Sequence, residues 1–408
     1  MTRGPFPGWF VVAGAFSVLC LHYGVQFSYG VFLPHMLDEL GWDRSTLTAP
    51  FSLYVLLYTG LSYYAGKLTD QWGPRVVIVI GAVGLGSGYL SMSTIEEVWE
   101  PYLYLAMASL GGAVAFVPCN ATVIRWFVRR RGLALGVASS GISFAAVIGP
   151  PISAILIQAT DWRRALLMMG AGAAVLMLAA SRLMHRDPES VGQLPDGVSV
   201  SDPGRVVEME GWTLKAARGT SAFWVLMGSL FFSWLAIFVP FVHLTGHALN
   251  LGISEIDSAL LLSFVGLGGL LGRIVGGGLT DRFGRLPGIV AAILLQALAF
   301  VGFTMSESFL WLALWGMAFG IGYSGVSVLF PALFGDLFGR PHAGAIVGYV
   351  FAVGGGSAAF GPYFAGIAFD ATGGYEAAFV TCAVSNVIAV GLLAFLRPPS
   401  VGYSPQVP

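Results

Sequence analysis

At 408 residues, with 56% of them apolar and only 10% charged, the chain carries too few ionisable side chains to cover a soluble protein of its size, and its mean hydropathy is +0.79. Twenty Lys and Arg stand against 21 Asp and Glu, so the basic excess expected of a nucleic-acid binder is missing. Cys20, Cys119 and Cys382 lie apart in apolar runs with no paired spacing and no companion His cluster, which argues against disulfides and against a metal site.

The chain opens "MTRGPFPGWFVVAGAF", an arginine followed by an apolar run that imitates a secretion signal. The run continues to about Leu33 without a small-x-small cleavage site, so it reads as a retained first membrane helix. Windows of about twenty apolar residues then place spans near 8–33, 47–68, 75–93, 101–124, 132–158 and 164–182. Six more follow near 219–245, 256–279, 286–304, 308–335, 342–366 and 374–396. The hydrophilic stretch 183–218 separates the two sets. The expected organisation is an all-α polytopic membrane protein of 12 helices: a six-helix bundle over 1–185, a linker over 186–218 with a short surface helix at its end, and a second six-helix bundle over 219–408.

Lys and Arg divide unevenly between alternate loops. Sixteen fall on the side of the termini and linker, while Arg44, Arg163 and Arg164 fall on the other; the twentieth, Arg273, belongs to neither. By the positive-inside rule both termini face the cytoplasm.

The two halves also repeat. "GKLTDQWGPR" (66–75) matches "GGLTDRFGR" (277–285), with Asp70 and Asp281 separated by 211 positions, and "GPPISAILIQAT" (149–160) matches "GPYFAGIAFDAT" (361–372) at an offset of 212. Duplicated six-helix halves are a transporter architecture, with the site between them near the midplane. In the loop motif the glycines permit a tight turn, and the Asp can accept from helix N-terminal amides or pair with basic residues. Asp70, Arg75, Asp281 and Arg285 are therefore expected to latch the cytoplasmic side; the plainer alternative is a turn with solvated charges.

Those two loops resemble the signature loop of the major facilitator superfamily and its second-half counterpart, and the resemblance covers essentially the whole chain. "RWFVRRRGLALGVASSGISFAAVIGP" (125–150) is similar to the fifth-helix signature of the monocarboxylate porter family, and "GWFVVAGAF" (8–16) to its first-helix signature. The resemblance implies a bacterial inner-membrane carrier, probed best with L-lactate, that needs no cofactor and works as a monomer on a small carboxylate and a proton. Animal members carry a lysine in the first helix and an aspartate one turn before the eighth-helix arginine. Here no lysine occurs in the first span and Gly269 takes the aspartate's place, so that proton relay does not carry over.

The residues lead to a similar place from below. On a helix Gly266, Gly269, Arg273 and Gly276 share one face, which lets a partner helix or a ligand approach the backbone. An arginine at that depth costs roughly 2.5–3.5 kcal/mol on insertion scales, and the spans offer no interior acid to offset it. A substrate carboxylate suits the guanidinium fork; the alternative is a structural Arg that caps carbonyls or snorkels. Asn120 reaches similar depth and is either a substrate ligand or interhelical glue. Tyr323 and Phe330 can wall a small apolar pocket or simply pack. Ser357, in "AVGGGSAAFGP", can meet substrate or serve small-residue packing.

His22 shares a stripe with Gln26 and Tyr29; His243 follows Pro240, and Asp257 begins the eighth span. All three are proton-coupling candidates, since His titrates near neutral pH, although a satisfied interfacial histidine is the commoner case. The expectation is a proton-coupled monocarboxylate transporter, with an oxalate/formate-type anion exchanger or a transporter-like sensor as the rivals. No nucleophile–base pair, metal cluster or phosphate loop points to an enzyme.

Overall fold

The computed structural model describes residues 6–127, 130–189, 192–195, 212–338 and 343–397, without the side chains of 131, 274–283, 343–345 and 347. These residues form helices joined by short turns. In the first half they are α1 (Gly8–Phe27), α2 (Tyr29–Leu40), α3 (Arg44–Trp72), α4 (Pro74–Met92), α5 (Glu100–Trp126), α6 (Arg131–Ala159) and α7 (Trp162–Ser181). A four-residue α8 (Leu214–Ala217) ends the linker. The second half holds α9 (Ser221–Leu235), α10 (Val239–Asn250), α11 (Glu255–Phe283), α12 (Arg285–Met305), α13 (Phe309–Phe338), α14 (Ala343–Thr372) and α15 (Glu376–Leu393). Eleven of the described segments are long and apolar enough to cross a membrane. The expected second span, α3, is 29 residues long but carries Arg44, Lys67 and Asp70.

The first and seventh spans differ from the uniform helices expected of them, each being broken in two. The seventh breaks at Ala236–Phe238 because Pro240, at the start of α10, has no N–H to continue the ladder and crowds the preceding turn. The first breaks at Ser28, whose hydroxyl donates to the Gly24 carbonyl at 2.7 Å.

The repeat read from the sequence reappears in backbone geometry. Gly73 and Gly284, which separate the second and third helices of each half, both adopt left-handed φ, 82° and 89°. Gly41 and Gly252, which end α2 and follow α10, do the same at 68° and 80°. Both pairs are 211 positions apart, and at each a side chain would be strained.

The helices meet at two ends, called here the terminal side, where the chain's ends and linker lie, and the far side. On the far side the halves are fastened together. The Asp370 carboxylate of α14 accepts from the backbone N–H of Arg44 at 3.1 Å and of Ser45 at 2.9 Å, so it caps the start of α3. The Arg44 guanidinium lies 4.1 Å from the Phe369 ring centroid. Phe27 stacks on Phe241 with centroids 4.1 Å apart, and a Cβ at Gly30 would stand 2.4 Å from the Phe241 carbonyl oxygen. The seam between α6 and α11 is equally close: Ser263 Oγ donates to the Val147 carbonyl at 2.7 Å, and a Cβ on Gly266 would meet Val147 N at 2.7 Å. At its far end Gln158, the first-half counterpart of Asp370, reaches Glu255 at 3.5 Å.

On the terminal side the charges close within each half. Asp70 pairs with Arg125 and its carbonyl accepts from Arg186. Arg285 pairs with Asp336 at 2.8 Å and donates to the Ala332 carbonyl at 2.5 Å. Residues 125 and 336 are again 211 apart, so the same position carries a tie in both halves, an arginine in the first and an aspartate in the second, although their partners Asp70 and Arg285 are not counterparts. Arg75 is exposed on α4 with no ion pair among the described residues. Asp281 lies on α11 with its side chain outside the described residues.

Candidate functional site

Between the halves lies a cavity of about 170 Å³. First-half helices α1, α3, α5 and α6 supply one wall, and α9, α11, α13 and α14 supply the other. Of its twenty lining residues eight are aromatic, and Arg273 is the single charged one. The far-side fastenings close it at one end. Toward the terminal side the parallel Phe116 and Phe351 rings, centroids 5.0 Å apart and 3° from coplanar, meet across the two halves.

Arg273 sits on α11 ten residues before Phe283, about 15 Å along the helix axis from that end. It is there because α11 presents a glycine face to its neighbours. A Cβ on Gly269 would be 2.9 Å from Ser143 Oγ and 3.0 Å from Ser324 Oγ, so α6 and α13 both come close to the α11 backbone at this level. Arg273 Nε donates across the seam to Ser143 Oγ at 3.2 Å. No carboxylate pairs with the guanidinium among the described residues. One donor of the fork is thereby oriented, and the guanidinium lines the cavity with no compensating carboxylate among the described residues.

The cavity's three aliphatic hydroxyls are committed elsewhere, while the phenols of Tyr23, Tyr58 and Tyr323 also line it. Thr59 Oγ1 donates to the Val55 carbonyl at 2.9 Å, Ser327 Oγ to the Tyr323 carbonyl at 2.9 Å, and Ser139 Oγ to Asn120 Oδ1 at 3.4 Å. Tyr323 and Phe330 line the cavity with Arg273. Asn120 stands one residue back from the wall, its Nδ2 donating to the Phe116 carbonyl at 2.9 Å while it holds Ser139. Ser357 is buried outside the wall, donating to the Gly354 carbonyl at 2.7 Å, while its neighbours Gly355 and Ala358 line the cavity.

The three proton-coupling candidates fall in three different places. His243 lies on the far side, where Nε2 donates to the Pro362 carbonyl at 2.8 Å and so ties α10 to α14. Asp257 caps the start of α11, accepting from Ser254 Oγ at 2.7 Å while its own N–H donates back at 3.2 Å. His22 is buried inside the first half. The Tyr54 hydroxyl is 3.4 Å from both His22 Nε2 and Gln26 Oε1, and His22 Nδ1, Gln26 Nε2 and the Tyr89 hydroxyl have no partner among the described residues. The Tyr58 ring, 6.0 Å from that of His22, is also part of the cavity wall. Of the three, His22 adjoins the cavity wall, through the rings of Tyr23 at 4.9 Å and Tyr58 at 6.0 Å.

Sequence reasoning did not single out Tyr23, Tyr58, Phe116, Trp234, Phe238 or Phe351. Depth was the available signal: Phe116 precedes the end of α5 by the same ten residues that separate Arg273 from the end of α11.

The arrangement can hold one anion between two halves that are sealed on one side, and known proteins share its frame. The solved structure of the nucleoside transporter NupG superposes with a TM-score of 0.75 at 11% identity, covering 95% of this chain and all of that one, which identifies the fold. Among curated proteins the chain is 28% identical to mouse monocarboxylate transporter 11 over 407 residues, 96% of this chain and 87% of that protein. It is 27% identical to bovine monocarboxylate transporter 13 over 395 residues (95% and 89%), and 26% identical to rat monocarboxylate transporter 12 over 429 residues (98% and 87%). Residues 15–272 and 236–406 match the profile described as Major Facilitator Superfamily. The chain therefore belongs to the Major Facilitator Superfamily: it is a multi-pass membrane transporter and not an enzyme.

Proposed function

We propose that this transporter moves a small monocarboxylate together with a proton by alternating access, with L-lactate and pyruvate-like acids as the first substrates to test. One observation carries the reading: Arg273 is the single charged side chain lining a cavity between the halves, and among the described residues no carboxylate pairs with it. A guanidinium fork in a water-poor site selects a planar anion, and a single cation favours a monoanion over a dicarboxylate. The similarity to monocarboxylate transporters 11, 12 and 13 supports the same class.

In this reading the loaded site is neutral at Arg273, so the two halves can rock about it without moving a bare charge through the interface. The proton resides on the His22–Tyr54–Gln26 cluster and communicates with the cavity through Tyr58. The two bundles meet the linker at 186–218, and both termini face the cytoplasm of a bacterial cell, since the terminal side holds sixteen of the 20 basic residues.

The test is uptake of labelled L-lactate and pyruvate into proteoliposomes under an inward proton gradient. Accumulation in wild type that Arg273→Ala abolishes while the protein stays folded is the expected result. Accumulation undiminished by Arg273→Ala, or indifferent to the gradient, overturns the assignment of the anion or of the proton respectively.

A further inference from the structure

The space beside Arg273 is larger and more apolar than a three-carbon acid requires. A dry cavity of roughly 150 Å³ accepts a benzene ring; this one measures about 170 Å³. Its walls are built to meet carbon. Phe116 and Phe351 lie parallel, Trp234 stands edge-on to Phe351 at 5.7 Å and 89°, and Phe238 and Phe330 are nearly fully buried. The three aliphatic hydroxyls in the wall donate back to protein, so beside Arg273 the polar groups of the wall are the phenols of Tyr23, Tyr58 and Tyr323 and the Trp234 indole N–H, all carried on aromatic rings. Lactate held at Arg273 would leave much of this aromatic surface without contact.

We propose that the preferred substrate is a monocarboxylate with a branched or aromatic body, such as a branched-chain or aryl 2-oxo acid, its carboxylate on Arg273 and its apolar body between the Phe116–Phe351 pair and Trp234. The proposal rests on the reading of Arg273 as the carboxylate anchor and specifies what the rest of the cavity recognises. Each additional methylene buried against the wall raises affinity about fourfold, and a ring adds stacking geometry with its aromatic neighbours.

The experiment uses the purified full-length protein in detergent and reads the rise in thermal unfolding temperature with concentration, which follows occupancy whether or not the ligand is carried. The probes are acetate, pyruvate, 4-methyl-2-oxopentanoate and phenylpyruvate, with phenylacetone as a ring without a carboxylate. Half-saturating concentrations are expected to fall at least tenfold from pyruvate to the two bulky acids, with phenylacetone inert. Labelled phenylpyruvate should also accumulate in proteoliposomes. Filling the wall with Ala358→Leu, or with Ser327→Leu if the first fails to fold, should weaken the bulky acids at least tenfold more than pyruvate and so erase their advantage.

A series that is flat, or that favours pyruvate over the bulky acids, overturns this inference and leaves the anchor standing. Bulky acids that bind but do not accumulate overturn it as well, since they are then inhibitors. No response to any acid, or responses unchanged in Arg273→Ala, removes the carboxylate anchor and this inference with it.

Discussion

Arg273 Nε and Ser143 Oγ, 3.2 Å apart, join α11 of the second half to α6 of the first at the wall of the cavity. The bond fixes the plane of a guanidinium that no carboxylate among the described residues fixes. Ser143→Ala should leave the fold intact and weaken substrate binding by about 1.5 kcal/mol, roughly tenfold, because the fork must then be ordered by the ligand alone. Equilibrium binding of pyruvate to the purified variant measures this directly, and unchanged affinity would mean that Ser143 does not orient Arg273.

Asp370 should govern which side of the molecule is closed. Its carboxylate is the acceptor for two backbone amides at the start of α3. Asp370→Ala leaves them without that charge, at about 2 kcal/mol or roughly thirtyfold in the ratio of far-side-closed to far-side-open molecules. Spin labels on exposed Thr94 and Glu307, in far-side turns of opposite halves, should report a longer distance distribution in the variant. An unaltered distribution would show that the other fastenings suffice.

Two glycines separate conformational bias from stability. A Cβ on Gly30 would stand 2.4 Å from the Phe241 carbonyl across the far-side seam, whereas one on Gly320 would stand 2.0 Å from the Val265 carbonyl inside the second half. Gly30→Ala is expected to open the far side with little loss of unfolding temperature. Gly320→Ala is expected to lower that temperature, the overpacking costing about 1–3 kcal/mol. The same spin-label pair and a thermal melt distinguish the two; a common response in both would show that the seams are not independent.

Proton coupling offers a contrast between histidines. His22→Gln should abolish accumulation driven by a proton gradient and preserve substrate exchange across the membrane, since Arg273 and the cavity wall are untouched. His243→Gln removes a bond to the Pro362 carbonyl and should cost about 1 kcal/mol of stability while coupling persists. Counterflow and gradient-driven uptake, run in parallel on both variants, decide the matter: coupling lost with His243 and kept with His22 would reverse the assignment.

Trp234 carries a buried indole N–H with no acceptor among the described residues, and its ring forms part of the cavity wall. Trp234→Phe removes the donor and keeps most of the ring. Affinity for 2-oxo acids should fall about three- to tenfold relative to their 2-deoxy analogues. Equal losses for both series would assign Trp234 a packing role alone.

Why some of this could be read in advance and some could not has a physical basis. Arg273 was conspicuous because a permanent charge in an apolar span carries a large cost that something must offset. The repeat was conspicuous because turns that need left-handed backbone keep their glycines, as Gly73 and Gly284 do. The breaks at Ser28 and Ala236–Phe238 were missed because hydropathy windows average over them. The aromatic wall was hidden for a different reason: 13% of the chain is aromatic, and a ring facing a cavity has the same local pattern as one facing another helix. Nor can helical spacing foretell that His243 Nε2 bonds a carbonyl 119 positions away while its Nδ1 is left without a partner among the described residues.

The two closures of the cavity differ in kind. Far from the termini, whole helices are tied by charge-to-amide bonds and backbone contact, and parting them requires collective motion on the microsecond-to-millisecond scale. Toward the termini, Phe116 and Phe351 meet as neutral rings, a contact that holds no hydrogen bond or ion pair. Of the two contacts, the ring pair is therefore the one that a small solute can part without breaking a hydrogen bond. The consequence for exchange is directional: loosening the far side, as Asp370→Ala does, should change the rate at which solute crosses the membrane, whereas changes at the ring pair should alter only its entry from the terminal side.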